Sequence, residues 1–234
     1  MKITYLLNSG FIVKMQSCAL VFDAYEDPAG NIAETIKDCE EVYFFASHAH
    51  FDHFDPRIKD FADCTTRYFL SCDIRRTKRV RQLPAEKIVY LKTYDSYKDD
   101  QIKISSYDST DAGTSFLVEK NGWRIFHAGD FNWWHWKGDT AENNSLAKNG
   151  FMKQMKRLDG LEADVAFFPL DGRLEEFAED GAREFCRRTN VKQLIGMHRV
   201  GYGAWEPGSG FFPTGKVIPC WVPTAPGESR EFKK

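Results

Sequence analysis

The sequence predicts an α/β fold in which two sheets are sandwiched between helices. Three observations carry that expectation. The first half of the 234 residues reads mainly as short alternating or apolar strands, the second half alternates strand and helix, and no linker or internal repeat divides them. A hydrophobic fraction of 42%, with 19 Phe and 6 Trp, can fill a sizeable core, so one domain spanning residues 1–234 is expected.

Taken in order, residues 2–7 and Cys18–Phe22 read as strands joined through the turn signal Asn8-Ser9-Gly10. Asp23 then begins a polar loop through Asp27-Pro28-Ala29-Gly30. Val42–Ala46 is short, charge-free and rich in aromatic or β-branched residues, which marks a buried strand. Asp55 as N-cap and Pro56 at the first helical position predict a helix over Arg57–Asp63. Arg67–Leu70 is a short strand, and Asp73–Leu83 is a helical candidate carrying Arg75, Arg76, Lys78, Arg79 and Arg81. Ile88–Leu91, Gln101–Tyr107, Ser115–Glu119 and Trp123–Phe126 alternate as strands do, and Asn121-Gly122 is a dipeptide favoured in two-residue hairpins. Residues 145–158 place Leu146, Phe151, Met155 and Leu158 roughly on one helical face. Asp164–Pro169 is a buried strand, Glu175–Arg188 a helix with Phe177, Ala178, Ala182 and Phe185 inward, and Val191–Met197 a last core strand. The Pro- and Gly-rich tail from Pro213 should end in an edge strand or loop.

Composition narrows the function. A formal net charge of −2 gives no basic excess to imply nucleic acid as the default partner. The opening Met1-Lys2-Ile3-Thr4-Tyr5-Leu6-Leu7 turns polar too soon for a signal peptide, and no run approaches the ~18 apolar residues of a membrane span. A cytoplasmic protein with no membrane contact is expected. The six cysteines lack any C-x-x-C spacing, which predicts reduced, mostly buried thiols.

The chemistry is concentrated in Ser47-His48-Ala49-His50-Phe51-Asp52-His53, directly after the buried strand. Half of the chain's six histidines lie here, beside a carboxylate. Imidazole and carboxylate together suit zinc, manganese or iron. His48 and His50 can converge on one ion, whereas Asp52 and His53 project differently and more easily serve a second. Two further groups repeat the arrangement at strand ends: His127-Ala128-Gly129-Asp130 and Met197-His198-Arg199. Three such loops should gather at one rim, where α/β proteins place their sites. A carboxylate such as Asp130 can bridge two ions, with Gly129 allowing the close turn that aims it.

These residues carry a resemblance. His48-Ala49-His50-Phe51-Asp52-His53 is the H-x-H-x-D-H motif of the metallo-β-lactamase superfamily, Gly129-Asp130 resembles its bridging aspartate, and His198 resembles its last histidine. The opening Met1–Phe22 and the closing Pro226-Gly227-Glu228 are also similar to that family, within which the small single-domain branch holding the ascorbate-6-phosphate lactonases looks nearest. The resemblance implies a four-layered αββα sandwich of two mixed sheets. It also implies one or two divalent ions, zinc first and manganese or iron as alternatives, on His48, His50, Asp52, His53, Asp130 and His198, with Asp52 and Asp130 catalytic. One feature departs from the pattern. No histidine lies between His53 and His127 to supply the first site's third imidazole, and the loop expected to do so reads Tyr107-Asp108-Ser109-Thr110-Asp111-Ala112-Gly113. Asp111, or less readily Asp108, could substitute, which would harden that site towards manganese or iron or leave it weakly filled.

Around the centre, His127 is expected to orient ligands or to pack rather than to bind an ion. Trp133 and His135, in the run Trp133-Trp134-His135-Trp136, are either a hydrophobic plug or a substrate wall. Arg199 and Tyr202 should stand at the mouth, where Arg suits a substrate phosphate or carboxylate, and Arg173 shares that ambiguity with a surface ion pair. The implied reaction is hydrolysis of a small, anionic ester, lactone or phosphodiester by hydroxide generated at the ions, with Asp52 as orienting group and proton relay. Alternatives are a nuclease, suggested by the basic residues of 75–81, a di-iron protein, and a sensor without turnover.

Overall fold

The computed structural model describes residues 1–199, 203 and 205–234, and its first seven-stranded sheet explains most of the N-terminal half. Strands β1 (Lys2–Tyr5), β2 (Phe11–Met15) and β3 (Cys18–Phe22) form an antiparallel meander. Helix α1 (Asn31–Ile36) then crosses to β4 (Glu41–Ala46), and β5 (Arg67–Ser71) and β6 (Ile88–Leu91) continue parallel to it. The second sheet starts with an antiparallel meander of β7 (Ser96–Lys98), β8 (Lys103–Asp108), β9 (Thr114–Lys120) and β10 (Trp123–His127). Helix α2 (Ala141–Leu158) leads through β11 (Glu162–Ala163) to β12 (Val165–Pro169). Helix α3 (Asp180–Arg188) leads through β13 (Asn190–Val191) to β14 (Leu194–Met197), then β15 (Cys220–Trp221), and β10, β12, β14 and β15 run parallel. The last strand, β16 (Ser229–Glu231), returns to pair with β1 at the edge of the first sheet. Both sheets are therefore mixed, as expected.

Side-chain parity explains the layers. Within the first sheet, Ile3, Val13, Leu20, Phe22, Phe45 and Phe69 pack between the sheets, while Ala19, Val21, Val42, Phe44 and Leu70 turn outward onto Ile32 and Ile36 of α1 and onto Ile58. A strand's successive side chains point to opposite faces, so strands with both faces covered read as near-continuous apolar runs. That is the pattern of Val42–Ala46. The parallel direction of β3–β4 and of β10–β12–β14 brings their C-terminal ends, with the loops that follow, to the rim where the metal-type residues sit.

Several expectations need correction. Phe11–Met15 is a strand, joined to β3 by the two-residue turn Gln16-Ser17 (φ of 51° at Gln16). Residues 31–36 and 96–98 are also regular where none was expected. The expected helix Arg57–Asp63 is a 3₁₀ segment over Pro56–Phe61, although Asp55 does accept from the Arg57 amide as an N-cap should. Asp73–Leu83 is two 3₁₀ turns, Cys72–Arg76 and Arg79–Gln82, because Asp73 and Arg79 are committed to hydrogen bonds with the ligand loop. Only Asp180–Arg188 of the expected Glu175–Arg188 helix is α-helical, since Glu175 has a positive φ of 53° that interrupts the turn Gly172–Phe177. The six cysteines are unpaired, but only Cys18 and Cys186 are buried, and Cys64 is exposed. No helix among the described residues is long and apolar enough to cross a membrane.

Phe44 tests the outer packing layer. Its ring is buried and stacks on Tyr68 and Phe61, with centroids 5.7 and 6.0 Å away. Phe44→Ala should lower the unfolding free energy by about 3–5 kcal/mol in urea titrations, through the cavity it leaves. A loss under about 1 kcal/mol would mean that this layer is not packed as described.

Candidate metal centre

The ligand loop is clamped through its backbone. Ser47 N–H donates to Asp23 Oδ1 (2.7 Å) and its carbonyl accepts from Thr114 N–H (2.9 Å). Ala49 N–H donates to Asp73 Oδ2 (2.8 Å), and Arg79 reaches the carbonyls of both Ala49 and Phe54. Two glycines permit the approach of neighbouring loops. A Cβ on Gly113 (φ 67°) would stand 2.0 Å from the Ser47 carbonyl oxygen, and one on Gly129 (φ 55°) 2.7 Å from Ser47 Cβ. Only a residue without a side chain fits either place.

The loops bring two groups of side chains together, each with ligand atoms within 4.8 Å of one another: His48, His50, Asp111 and Asp130 in one, Asp52, His53 and His198 in the other. Asp130 joins them. Its Oδ2 lies 3.6 Å from His48 Nε2, while Oδ1 lies 3.2 Å from His53 Nε2 and 3.6 Å from His198 Nε2. Asp111, the candidate stand-in for a third histidine, has Oδ2 3.5 Å from His50 Nδ1. Asp108 instead bonds Thr93 and Gln154, away from the cluster.

Outer partners fix the imidazoles. His53 Nδ1 donates to Asp23 Oδ2 (2.7 Å), His198 Nδ1 to Asp171 Oδ2 (3.0 Å) and His48 Nδ1 to Ser47 Oγ (3.0 Å), so all three turn Nε2 inward. Asn8 Nδ2 donates to Asp52 Oδ2 (3.0 Å). This is the pattern in which a carboxylate or hydroxyl sets the tautomer of a ligating histidine. His127 belongs to neither group. Its Nε2 donates to the Ser9 carbonyl, its Nδ1 accepts from Gly129 N–H, and its ring stacks on Phe22, so it braces the turn.

The electrostatics call for a cation. His53 Nε2 and Asp130 Oδ1 are buried with no hydrogen-bond partner, a state that costs roughly 1–3 kcal/mol for each neutral group and more for a charged one. Burial holds the Asp130 carboxyl up, above the usual range. Burial also pulls His48 down to about 2, leaving it neutral. It works against charge on His53 too, but the carboxylates of Asp130 and Asp23 more than offset it and raise that imidazole to about 9. The donors are all nitrogen and oxygen, a set that fits zinc, manganese or iron.

A cavity of about 440 Å³ opens over the cluster. Its wall is Trp134 and Trp136, not Trp133 and His135. Residues 133–136 carry no regular structure, and alternate side chains face opposite ways. Trp134 and Trp136 stack on each other, and Trp134 meets His198, whereas His135 lies on Phe177 and Trp133 on Phe151 of α2. Arg199 is also displaced from the expected mouth: its guanidinium donates to the carbonyls of Leu170 and Gly203. Tyr202 lies outside the described residues. Arg173 lines the cavity instead, ion-paired with Asp171. Sequence reasoning passed over Asn8, Ser47, Asp23 and Asp171 as site residues. For the two aspartates a signal existed, since each follows a buried strand at the rim that carries the ligand loops.

No family model matches the chain, and no curated protein matches it by sequence. Solved structures do. Igni18, described as a metallo hydrolase from the archaeon Ignicoccus hospitalis, aligns over 99% of both chains at 18% identity with a TM-score of 0.65. The metallo-β-lactamase fold protein YhfI from Bacillus subtilis aligns over 98% of this chain and 99% of its own, at 11% identity and a TM-score of 0.60. CmlA, a diiron β-hydroxylase from Streptomyces venezuelae, aligns over 84% of this chain and 44% of its own, at 9% identity and a TM-score of 0.57. At such identities the likeness establishes the fold: the chain has the metallo-β-lactamase fold.

Two expectations follow for ion binding. The Asp52, His53 and His198 group is the more enclosed, with its imidazoles pinned by buried carboxylates, whereas the side chains of His50 and Asp111 are 54% and 46% exposed. Titration with Zn²⁺ should therefore fill that group first, and Asp111→Ala should remove only the weaker step. Two equally tight steps, or loss of the weaker step in His198→Ala, would contradict this order. Because His53 holds its proton up to about 9 in the metal-free protein, ion binding near neutral pH should release about one proton. Calorimetry in buffers of different ionisation enthalpy measures this, and no buffer dependence would contradict the charge balance described.

Proposed function

We propose that the protein is a metal-dependent hydrolase of small molecules containing an ester, lactone or phosphodiester bond. The observation that supports it most is the sharing of Asp130: one carboxylate turns an oxygen to each of two histidine-bearing groups. In this reading His48, His50, Asp111 and Asp130 would hold one divalent ion, and Asp52, His53 and His198, with Asp130 between the groups, would hold a second. Zinc is the first candidate, with manganese or iron favoured at the group that contains Asp111. A divalent ion at such a site lowers the pKa of water from ~15.7 towards ~7 and polarises the electrophilic oxygen.

The chain's own residues do the rest. Asn8 holds Asp52 Oδ2, so the remaining oxygen of that carboxylate is the one that can take up a proton. Asp171 and Asp23 keep Nδ1–H of His198 and His53 occupied, so neither ring can flip away from the cluster. Trp134 and Trp136 narrow the approach, and Arg173, held by Asp171, presents its guanidinium at the cavity wall, the group in this lining that can meet a phosphate or carboxylate on the substrate. The basic residues of 75–81 favour a nuclease less than they did in sequence, since Arg79 clamps the ligand loop and Arg75 lies over Tyr90. A cytoplasmic, small-molecule role is part of the proposal.

A di-iron protein is the second reading. Asp111 beside Asp130 gives the first group two carboxylates, a set that suits iron. Visible absorption in protein purified with its native metal would favour it.

The hydrolase reading is tested with a panel of esters, lactones and phosphodiesters, with and without a chelator. Asp130→Ala and Asp52→Ala should each cut turnover by at least about a hundredfold while the far-UV circular dichroism is retained. Full activity of Asp130→Ala in the presence of chelator would take the cluster out of the reaction.

A further inference from the structure

Two clefts flank the cluster and meet on it. One is the cavity of about 440 Å³ walled by Trp134 and Trp136; the other, of about 320 Å³, is bordered by Asn8, Tyr25, Phe51 and Asp171. Asp52, Arg173 and His198 line both. Each cleft reaches the size range in which small molecules bind. A substrate with a single short arm would leave one of them filled with water.

Phe51 gives the second cleft its character. It sits between His50 and Asp52 and is 75% exposed. Among the described residues the large apolar side chains left exposed are Phe51, Tyr94, Leu146 and Val217, and of these only Phe51 borders either cleft. A phenyl ring held in water at the edge of the cluster forgoes the burial that would stabilise the fold. Packing within the fold does not explain its place. In the first cleft the corresponding surface is Trp136, stacked on Trp134 and carrying the Arg173 guanidinium 5.5 Å from its ring centre.

Resting on the hydrolase reading above, we propose that the substrate lies across Asp52, Arg173 and His198 with one half in each cleft. It is then a two-part ester, amide or phosphodiester bearing an apolar or aromatic group on both sides of the bond that is cut. Phe51 contacts one half and Trp136 the other. The reaction balances as hydrolysis: the oxygen of water bonds to the acyl carbon or phosphorus, the bond to the leaving heteroatom breaks, and that atom takes up a proton. A compact lactone, both halves of which lie in one ring, fits this arrangement less well.

The test uses two ester series with the metal-loaded protein. One keeps the acetyl group and varies the alcohol from methanol to naphthylmethanol; the other keeps the methyl ester and varies the acid from acetic to naphthylacetic. The readout is the ratio of kcat/KM for the largest member to that for the smallest. Wild type should favour bulk in both series. Phe51→Ala should lower the ratio in one series, and Trp136→Ala in the other, each by at least about tenfold. Trp136→Phe, which keeps a ring, should retain most of the preference. Both alanine variants acting on the same series, or wild type indifferent to bulk in either, would overturn the proposal.

If no ester, lactone or phosphodiester is hydrolysed, the hydrolase reading fails by itself and binding decides the two-cleft claim. Quenching of tryptophan fluorescence is followed as naphthylmethyl naphthylacetate, naphthylmethanol or naphthylacetate is added. The ester should bind more tightly than either half, and Phe51→Ala should erase the advantage over one half only. Equal affinity for the ester and one of its halves would overturn the claim.

Discussion

A buried carboxylate governs this structure. Asp130 lies between two sets of imidazoles, and a charge so placed is tolerated only when it is paired or coordinated. Everything around it serves that requirement. Gly129 allows the turn that drives the carboxylate inward, and Gly113 lets the Asp111 loop close onto His48. The parallel strands β4, β10 and β14 deliver the motif, Asp130 and His198 to the same rim. The two unpartnered atoms, His53 Nε2 and Asp130 Oδ1, face each other across 3.2 Å, which is where a cation would relieve both.

The outer partners extend this logic to the cavity. Asp171 accepts from His198 on one side and from Arg173 on the other, through Nε at 2.9 Å. The hydrogen bonds of that one carboxylate outweigh its burial and hold it down to about 2, so it stays charged at neutral pH. Orientation of a cluster histidine and placement of the guanidinium on Trp136 are thus tied to the same group. A change of Arg173 is therefore expected to be felt at His198 as well as in the cavity. On the opposite side Asp23 plays the matching part for His53 and Ser47.

Legibility in the sequence followed the physics of each element. Strands β3, β4 and β12 were readable because both faces are covered and their apolar runs are nearly continuous, and β9 and β10 because they alternate around the Asn121-Gly122 turn. Asp73–Leu83 was expected to be helical, whereas Asp73 and Arg79 are drawn off by the backbone of the ligand loop. The cluster residues were legible from one dense motif and two strand ends. Asp111 was reachable only through what the chain lacks, a histidine between His53 and His127. Which tryptophans face the cavity was not legible, because in an irregular segment parity has no register to fix it. Placement of Arg199 against two carbonyls, and of Arg173 in the cavity, depended on tertiary contacts that no local pattern encodes.

The central claim is that Asp130 couples two ion sites, and magnetic coupling reads that directly. Electron paramagnetic resonance of the protein loaded with about two equivalents of Mn²⁺ should give the broadened, many-line spectrum of an exchange-coupled pair, as expected for ions ~3.5–4 Å apart. Asp130→Asn should lose the coupling while retaining a signal from the site that contains His53. Two equivalents bound with only the isolated six-line pattern of Mn²⁺ would contradict the account, since the ions would then occupy sites that share no ligand.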